Sequence, residues 1–244
     1  MSILSRHIAT FLLVLRDGET FSARLLNGSI GFRDIAALAA FTALSTGVYG
    51  AVLGFWRSWT LAAYVAVKLP AVFLGTTLFV SVFNWTMALM FGARLCYRDV
   101  FACAFGAMAR AGWFLLAAAP VSAFLVWTGA PAWNADLGSR LALRGPFYSM
   151  LLAHTAILSL SGVAGNVSLF SILRRMVPSG RRAMALFAIW LAAFALVGSQ
   201  LSWMARPIFG SPNVIVAFLR EDALKSNAFE SFFGQVLPYF LPNR

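Results

Sequence analysis

The sequence predicts an all-α fold: a polytopic membrane helical bundle of about five transmembrane helices, with interfacial segments at the N- and C-terminal ends. Three observations predict it. Of the 244 residues, 61% are hydrophobic and only 11% are charged, whereas a soluble domain carries about 25% charged residues. The apolar residues fall in blocks long enough to cross a hydrocarbon core, which takes about 20 residues. The basic residues, nearly all arginine, lie between those blocks. A water-soluble fold is excluded. The net charge of +11 would suggest nucleic acid in a soluble protein. Here the arginines read as topology determinants facing the cytosol and anionic lipid head groups, and no nucleic-acid partner is expected.

Residues 5–27 place Ile8, Phe11, Leu12 and Leu15 at helical spacing, with Arg6, His7, Thr10 and Arg16 on the other side; such a segment lies in the membrane interface. Its apolar run, Ile8 to Leu15, ends at once in Arg16, Asp17, Gly18 and Glu19 without a small-residue cleavage site, so no signal peptide is expected. The first span runs from Asp34 to Trp56. The second block, Thr60 to Phe91, is too long for one upright crossing and too short for two, and reads as one long helix kinked near Pro70. The third runs from Val100 to Thr128, the fourth from Pro146 to Leu173 and the fifth from Ala183 to Ala205. The expected organisation is an interfacial segment over 1–33, a membrane domain over 34–205, and a turn and interfacial tail over 206–244, a re-entrant hairpin being the alternative for the tail. In that tail Val214–Leu219 and Phe229–Leu241 are apolar but too short to span.

Orientation follows from the arginines. Arg6, Arg16, Arg24 and Arg33, Arg94 and Arg98, and Arg174, Arg175, Arg181 and Arg182 stand on one side, against Arg57, Arg140 and Arg144 on the other. That places the N-terminus in the cytoplasm and, after five spans, the C-terminus outside. Tryptophans 56, 59, 85, 127, 133 and 203 fall mostly near span ends, as an aromatic belt requires.

Small residues mark helix contact faces in lipid. Gly50 with Gly54, Ser161 with Gly165, and Ala195 with Ser199 are therefore expected to be packing faces. Polar side chains at membrane depth are costly and single out Lys68, Asn84, His154, Asn166 and Gln200; Arg110 lies close enough to the end of its span to reach head groups. Lys68 stands two residues before Pro70, which frees the carbonyl of Ala66. It either joins a polar pathway or snorkels to the outer head groups. His154 either relays protons or binds a metal, or it makes an interhelical hydrogen bond. Cys96 and Cys103 have no partner at metal-ligand spacing, so no metal site, disulfide framework or cofactor is expected. No GxSxG, HExxH or phosphate-cradling glycine loop occurs, and the eight carboxylates all fall in predicted termini or connections, so no catalytic residue is assigned.

The stretch Gln200-Leu201-Ser202-Trp203-Met204-Ala205-Arg206-Pro207-Ile208-Phe209-Gly210-Ser211-Pro212, with Lys68-Leu69-Pro70, resembles a motif of uncharacterised bacterial multi-pass proteins of Yip1-like architecture. The resemblance covers loosely residues 34–222 and lacks the loop signature of eukaryotic Yip1 members. It implies five spans, a bacterial inner membrane location and association with partner proteins rather than catalysis. Physically, Pro207 stops the fifth helix, Gly210 permits a tight turn and Pro212 holds Ser211 extended. Arg206 then sits at a helix C-terminus, either as a cap or as an anchor for a phospholipid phosphate or partner carboxylate. Arg206, Pro207, Gly210 and Trp203 are the candidate partner or lipid contacts. The expected function is a non-enzymatic membrane subunit that binds membrane lipid and other membrane proteins or a second copy of itself. The alternative is a transporter or channel component in which the five embedded polar residues line one cavity; a lipid-modifying enzyme is a third reading.

Overall fold

The computed structural model describes residues 11–93, 95–129, 144–210, 216–221, 223, 225 and 227–231. After a helical stretch over 11–16 come α1 (Gly18–Leu26), α2 (Phe32–Phe55), α3 (Trp59–Met90), α4 (Tyr97–Gly129), α5 (Arg144–Met176), α6 (Gly180–Met204) and the short α7 (Ala228–Ser231). Five of these, α2 to α6, are long and apolar enough to cross a membrane. Among the described residues there is no strand. The chain is an all-α membrane helical bundle.

Local chemistry sets the helix starts. Asp17 accepts from the Thr20 amide at 3.0 Å and opens α1. The Asp34 carboxylate accepts from the Gly31 amide at 3.0 Å and opens α2. Ser58 accepts from Leu61 at 3.0 Å before α3, and Ser179 from Arg182 at 3.3 Å before α6. Each partner satisfies an amide that the first turn would leave orphaned. Inside the spans, hydroxyls bond back to their own helix, as Thr42 does to the Leu38 carbonyl at 2.9 Å and Thr77 to Phe73 at 2.8 Å. A polar side chain at membrane depth is thereby satisfied without a partner helix.

Successive spans alternate in direction. One end of the bundle, the near end, carries α1 and the α3–α4 and α5–α6 connections; the far end carries the α2–α3 turn and the close of α6. The central helix is α4, which packs against α2, α5 and α3 and buries residues from Asp99 to Val126 along its length. Contact between α2 and α3 is backbone to backbone. A Cβ placed on Gly50 would lie 2.6 Å from the Val65 carbonyl oxygen, and one on Gly54 would lie 2.7 Å from that of Leu61. Gly47 faces the Ala66 carbonyl, with a would-be Cβ 3.2 Å from that oxygen and 3.5 Å from the Pro70 ring. The carbonyl freed by Pro70 is thus covered by the neighbouring helix, and α3 runs continuously through the proline. Gly165 approaches the Ala107 carbonyl of α4 in the same manner, at 2.9 Å.

Two expectations change. Ala195 and Ser199 are both exposed, so this pair is not a packing face among the described residues. One contact of α6 with α3 is at Gly198, where a Cβ would lie 3.5 Å from Thr76. Only Ala183, Leu186 and Trp190 of α6 are buried. The N-terminal segment, for its part, meets protein on its apolar side. Val14, Phe21 and Leu25 are 0–2% exposed, and the Phe21 ring covers Gly106 of α4, where a Cβ would lie 3.3 Å from it. Leu12, expected on that side, is 40% exposed. The stretch before residue 11, the third connection with Trp133 and Arg140, and the tail beyond 231 lie outside the described residues.

Candidate functional site

The residues after α6 fold back over the far end of the α2–α3 hairpin. Helix α6 stops at Met204 because Pro207 offers no amide to continue it. Arg206 closes the end: its Nε donates to the Trp203 carbonyl at 2.8 Å, and its guanidinium carbon stands 3.2 Å from the centroid of the Trp203 ring. A cation bonded to a C-terminal carbonyl sits at the negative end of the helix dipole, and the stacked plane suits guanidinium rather than ammonium. The Arg206–Pro207 peptide is cis. The Pro207 carbonyl then accepts from Lys68 Nζ at 3.0 Å, and the Phe209 carbonyl accepts from Trp56 Nε1 at 2.7 Å. Ile208 and Phe209 pack on a cluster of Tyr49, Leu53, Leu61, Val65, Leu69, Leu115 and Ala119. Gly210 has φ +71, and a Cβ there would lie 2.7 Å from Leu61 Cδ2, so both its backbone and its space require glycine. Trp56 is 3% exposed and bonded inside the protein, so it does not belong to the lipid-facing belt. Trp59, at 70% exposed, and Trp127, at 89%, do face outward at this end.

The five embedded polar residues go to different places. Lys68, 3% exposed, reaches the Pro207 carbonyl. His154, 1% exposed, shares a 3.0 Å hydrogen bond between its Nδ1 and the Tyr49 hydroxyl, linking α5 to α2, with Ser122 of α4 beside the tyrosine. His154 Nε2 has no hydrogen-bond partner among the described residues. Asn84 is fully buried; its backbone carbonyl accepts from Trp190 Nε1 at 3.1 Å, while its side-chain amide has no hydrogen-bond partner among the described residues. Asn166 lines a cleft of about 230 Å³ between α3, α4, α5 and α6, together with Thr76 and Ser202. Gln200 accepts from the Ala228 amide at 3.1 Å and ties α6 to the start of α7.

No family model, curated protein or solved structure matches this chain.

The near end is cationic. Arg174, Arg175, Arg181 and Arg182 are all exposed in the α5–α6 connection. Arg175 pairs with Glu19 of α1 at 2.6 Å, and Arg98 with Asp99 at 3.5 Å. Among the described residues no group of three or more His, Cys, Asp or Glu side chains comes together that would hold a metal.

Sequence reasoning missed Tyr49 and Trp56. Tyr49 adjoins Gly50 on α2 and is completely buried, so the glycine stripe already marked the surface on which it sits. Trp56 gave no signal apart from its position at a span end, where a belt tryptophan and a buried anchor look alike.

Proposed function

We propose that this chain is a non-enzymatic integral membrane subunit that binds other membrane proteins or organises lipid. The observation that carries the reading is the dispersal of the embedded polar groups. Lys68, His154 and Gln200 bond to separate partners, Asn166 lines a cleft and Asn84 is fully buried apart from them, whereas a transporter needs them around one hydrated path. The exposed α6 adds to it, since Ala192, Ala195 and Ser199 form a small-residue face that no described residue covers. The same proposal includes a cytoplasmic near end, drawn from its arginines, an outside C-terminus and the bacterial inner membrane as the location. It also keeps the Yip1-like likeness, on the count of five spans alone.

The test is co-purification in mild detergent, with mass spectrometry of retained proteins and phospholipids. A stoichiometric membrane protein or a retained lipid class supports the reading, and recovery of the chain alone and delipidated overturns it. Variants of Arg206 at equal expression refine it. Arg206→Lys keeps the cation at the helix end but loses the plane stacked on Trp203, so recovery falls; it falls further in Arg206→Ala, with insertion intact in both. Equal recovery from all three makes Arg206 a helix cap and nothing more.

A further inference from the structure

Lys68 ends beside a cleft. Val67, Ala71, Leu201, Met204 and Leu219 are among its apolar walls, and Lys68 and Phe218 also line it. The cavity holds about 270 Å³. Lys68 Nζ stands 5.1 Å from the Phe218 ring centroid, and its recorded hydrogen-bond acceptor is the Pro207 carbonyl. An ammonium has three N–H donors, so one carbonyl leaves it underused. The ion pairs recorded among the described residues, Arg98–Asp99 and Arg175–Glu19, do not involve it. A buried cation without a counter-charge is strongly disfavoured, and at membrane depth an ionisable residue marks a functional site with a partner to be named.

The cleft says what that partner is. Its walls, on α3, the end of α6 and the segment after it, are hydrocarbon apart from the lysine. Its volume is below the roughly 300–1,000 Å³ of a drug-sized pocket, so it accepts a single chain and not a diacyl pair. A compact ammonium matches one carboxylate, whereas phosphate recognition favours the fork of an arginine. We infer that the Lys68 cleft binds a long-chain carboxylate, its head on Lys68 Nζ and its chain along α3 and α6. The inference goes beyond the subunit reading, which stands or falls on co-purification of proteins and phospholipids.

The experiment uses the purified full chain in phosphatidylcholine nanodiscs, with a diazirine-bearing palmitate as the photolabel and peptide mapping as the readout. Wild type should be labelled within residues 64–72 or 216–223. Oleate should suppress the labelling and methyl oleate, which lacks the charge, should not. Lys68→Gln should reduce labelling ten-fold or more. Because that variant also loses the Pro207 bond, Ala71→Phe provides the second arm: Ala71 is exposed, the phenyl ring fills the cleft, and labelling should fall as far with the melting temperature unchanged. Equal competition by methyl oleate overturns the proposal, as does wild-type labelling of Ala71→Phe. Competition by phosphatidylglycerol in place of oleate does so too. A rise in labelling of the Glu221→Gln/Asp222→Asn double variant would make an internal carboxylate the native occupant and overturn it as well.

Discussion

Replacing Gly50 by alanine adds one methyl group at the closest approach of α2 and α3. The new carbon would stand 2.6 Å from the Val65 carbonyl oxygen and 3.0 Å from its carbon. Ordinary heavy-atom contact begins near 3.5 Å, so the helices must separate by roughly 1 Å at that point. The obstacle is backbone, which has no rotamer to change. Leu53, Leu61, Val65 and Leu69, all 0–4% exposed, lie on the same seam and lose contact together. Forced overpacking of this kind costs about 1–3 kcal/mol, which for a chain of this size lowers the melting temperature by about 2–12 °C. The sign is informative, because alanine in place of a mid-helix glycine otherwise stabilises by roughly 0.5–1 kcal/mol. Gly162, whose Cβ would meet nothing within 4 Å, supplies the control. Thermal unfolding in one detergent, followed by tryptophan fluorescence, should show Gly50→Ala and Gly54→Ala melting below wild type and Gly162→Ala at or above it, with leucine at Gly50 or Gly165 more severe still. If Gly50→Ala melts with Gly162→Ala, the α2–α3 seam is not held backbone to backbone and the packing argument is wrong.

The remaining predictions test other parts of the molecule. Tyr49→Phe removes the hydroxyl bonded to His154, and a double-mutant cycle with His154→Leu should return a coupling of about 0.6 kcal/mol, at most about 1.7; zero coupling means the bond contributes nothing. Reporter fusions at residues 97, 137 and 179 should read cytoplasmic, outside and cytoplasmic, and any other alternation removes the proposed orientation. Asp17 has its carboxyl held below the ordinary aspartate value of 3.8, first by the Thr20 hydroxyl and then by the Thr20 amide. The charged form is therefore the one that α1 favours, and its contribution is present above pH 3.8 and lost as pH falls through the lower folded value. The melting difference between wild type and Asp17→Ala should accordingly be full near neutral pH and vanish in strong acid, and a difference that persists there refutes the charged cap.

The spans were legible because hydrocarbon demands a minimum apolar length and every charge interrupts it. The first was expected over Asp34–Trp56 and runs Phe32–Phe55; the second over Thr60–Phe91 and runs Trp59–Met90. The remaining three begin two or three residues earlier than the apolar blocks suggested. The starts moved because a helix can continue into the head-group region: Arg144 and Arg181 are helical, though neither belongs in hydrocarbon. The candidate site was half legible. Pro207 and Gly210 announced a turn, and the turn is there. That it lies on Lys68 and Trp56, partners 139 and 153 residues away, is tertiary information that no local pattern contains.

Faces were the least legible feature, for a physical reason. In water an amphipathic period separates core from surface, but in a bilayer both surroundings of a helix are apolar, and hydropathy cannot tell a lipid-facing side chain from one facing protein. The glycines of α2 were read correctly because a missing Cβ matters only where a backbone comes close. Ala195 and Ser199 of α6 carry the same small-residue spacing yet are exposed among the described residues. Small side chains turned to lipid make poorer contact than Leu or Phe in their place, whereas small side chains turned to another helix allow its backbone to approach. Under the proposed function the pattern on α6 is the face offered to a partner, so the search for that partner begins on the fifth span and not on the crowded α2–α4 core.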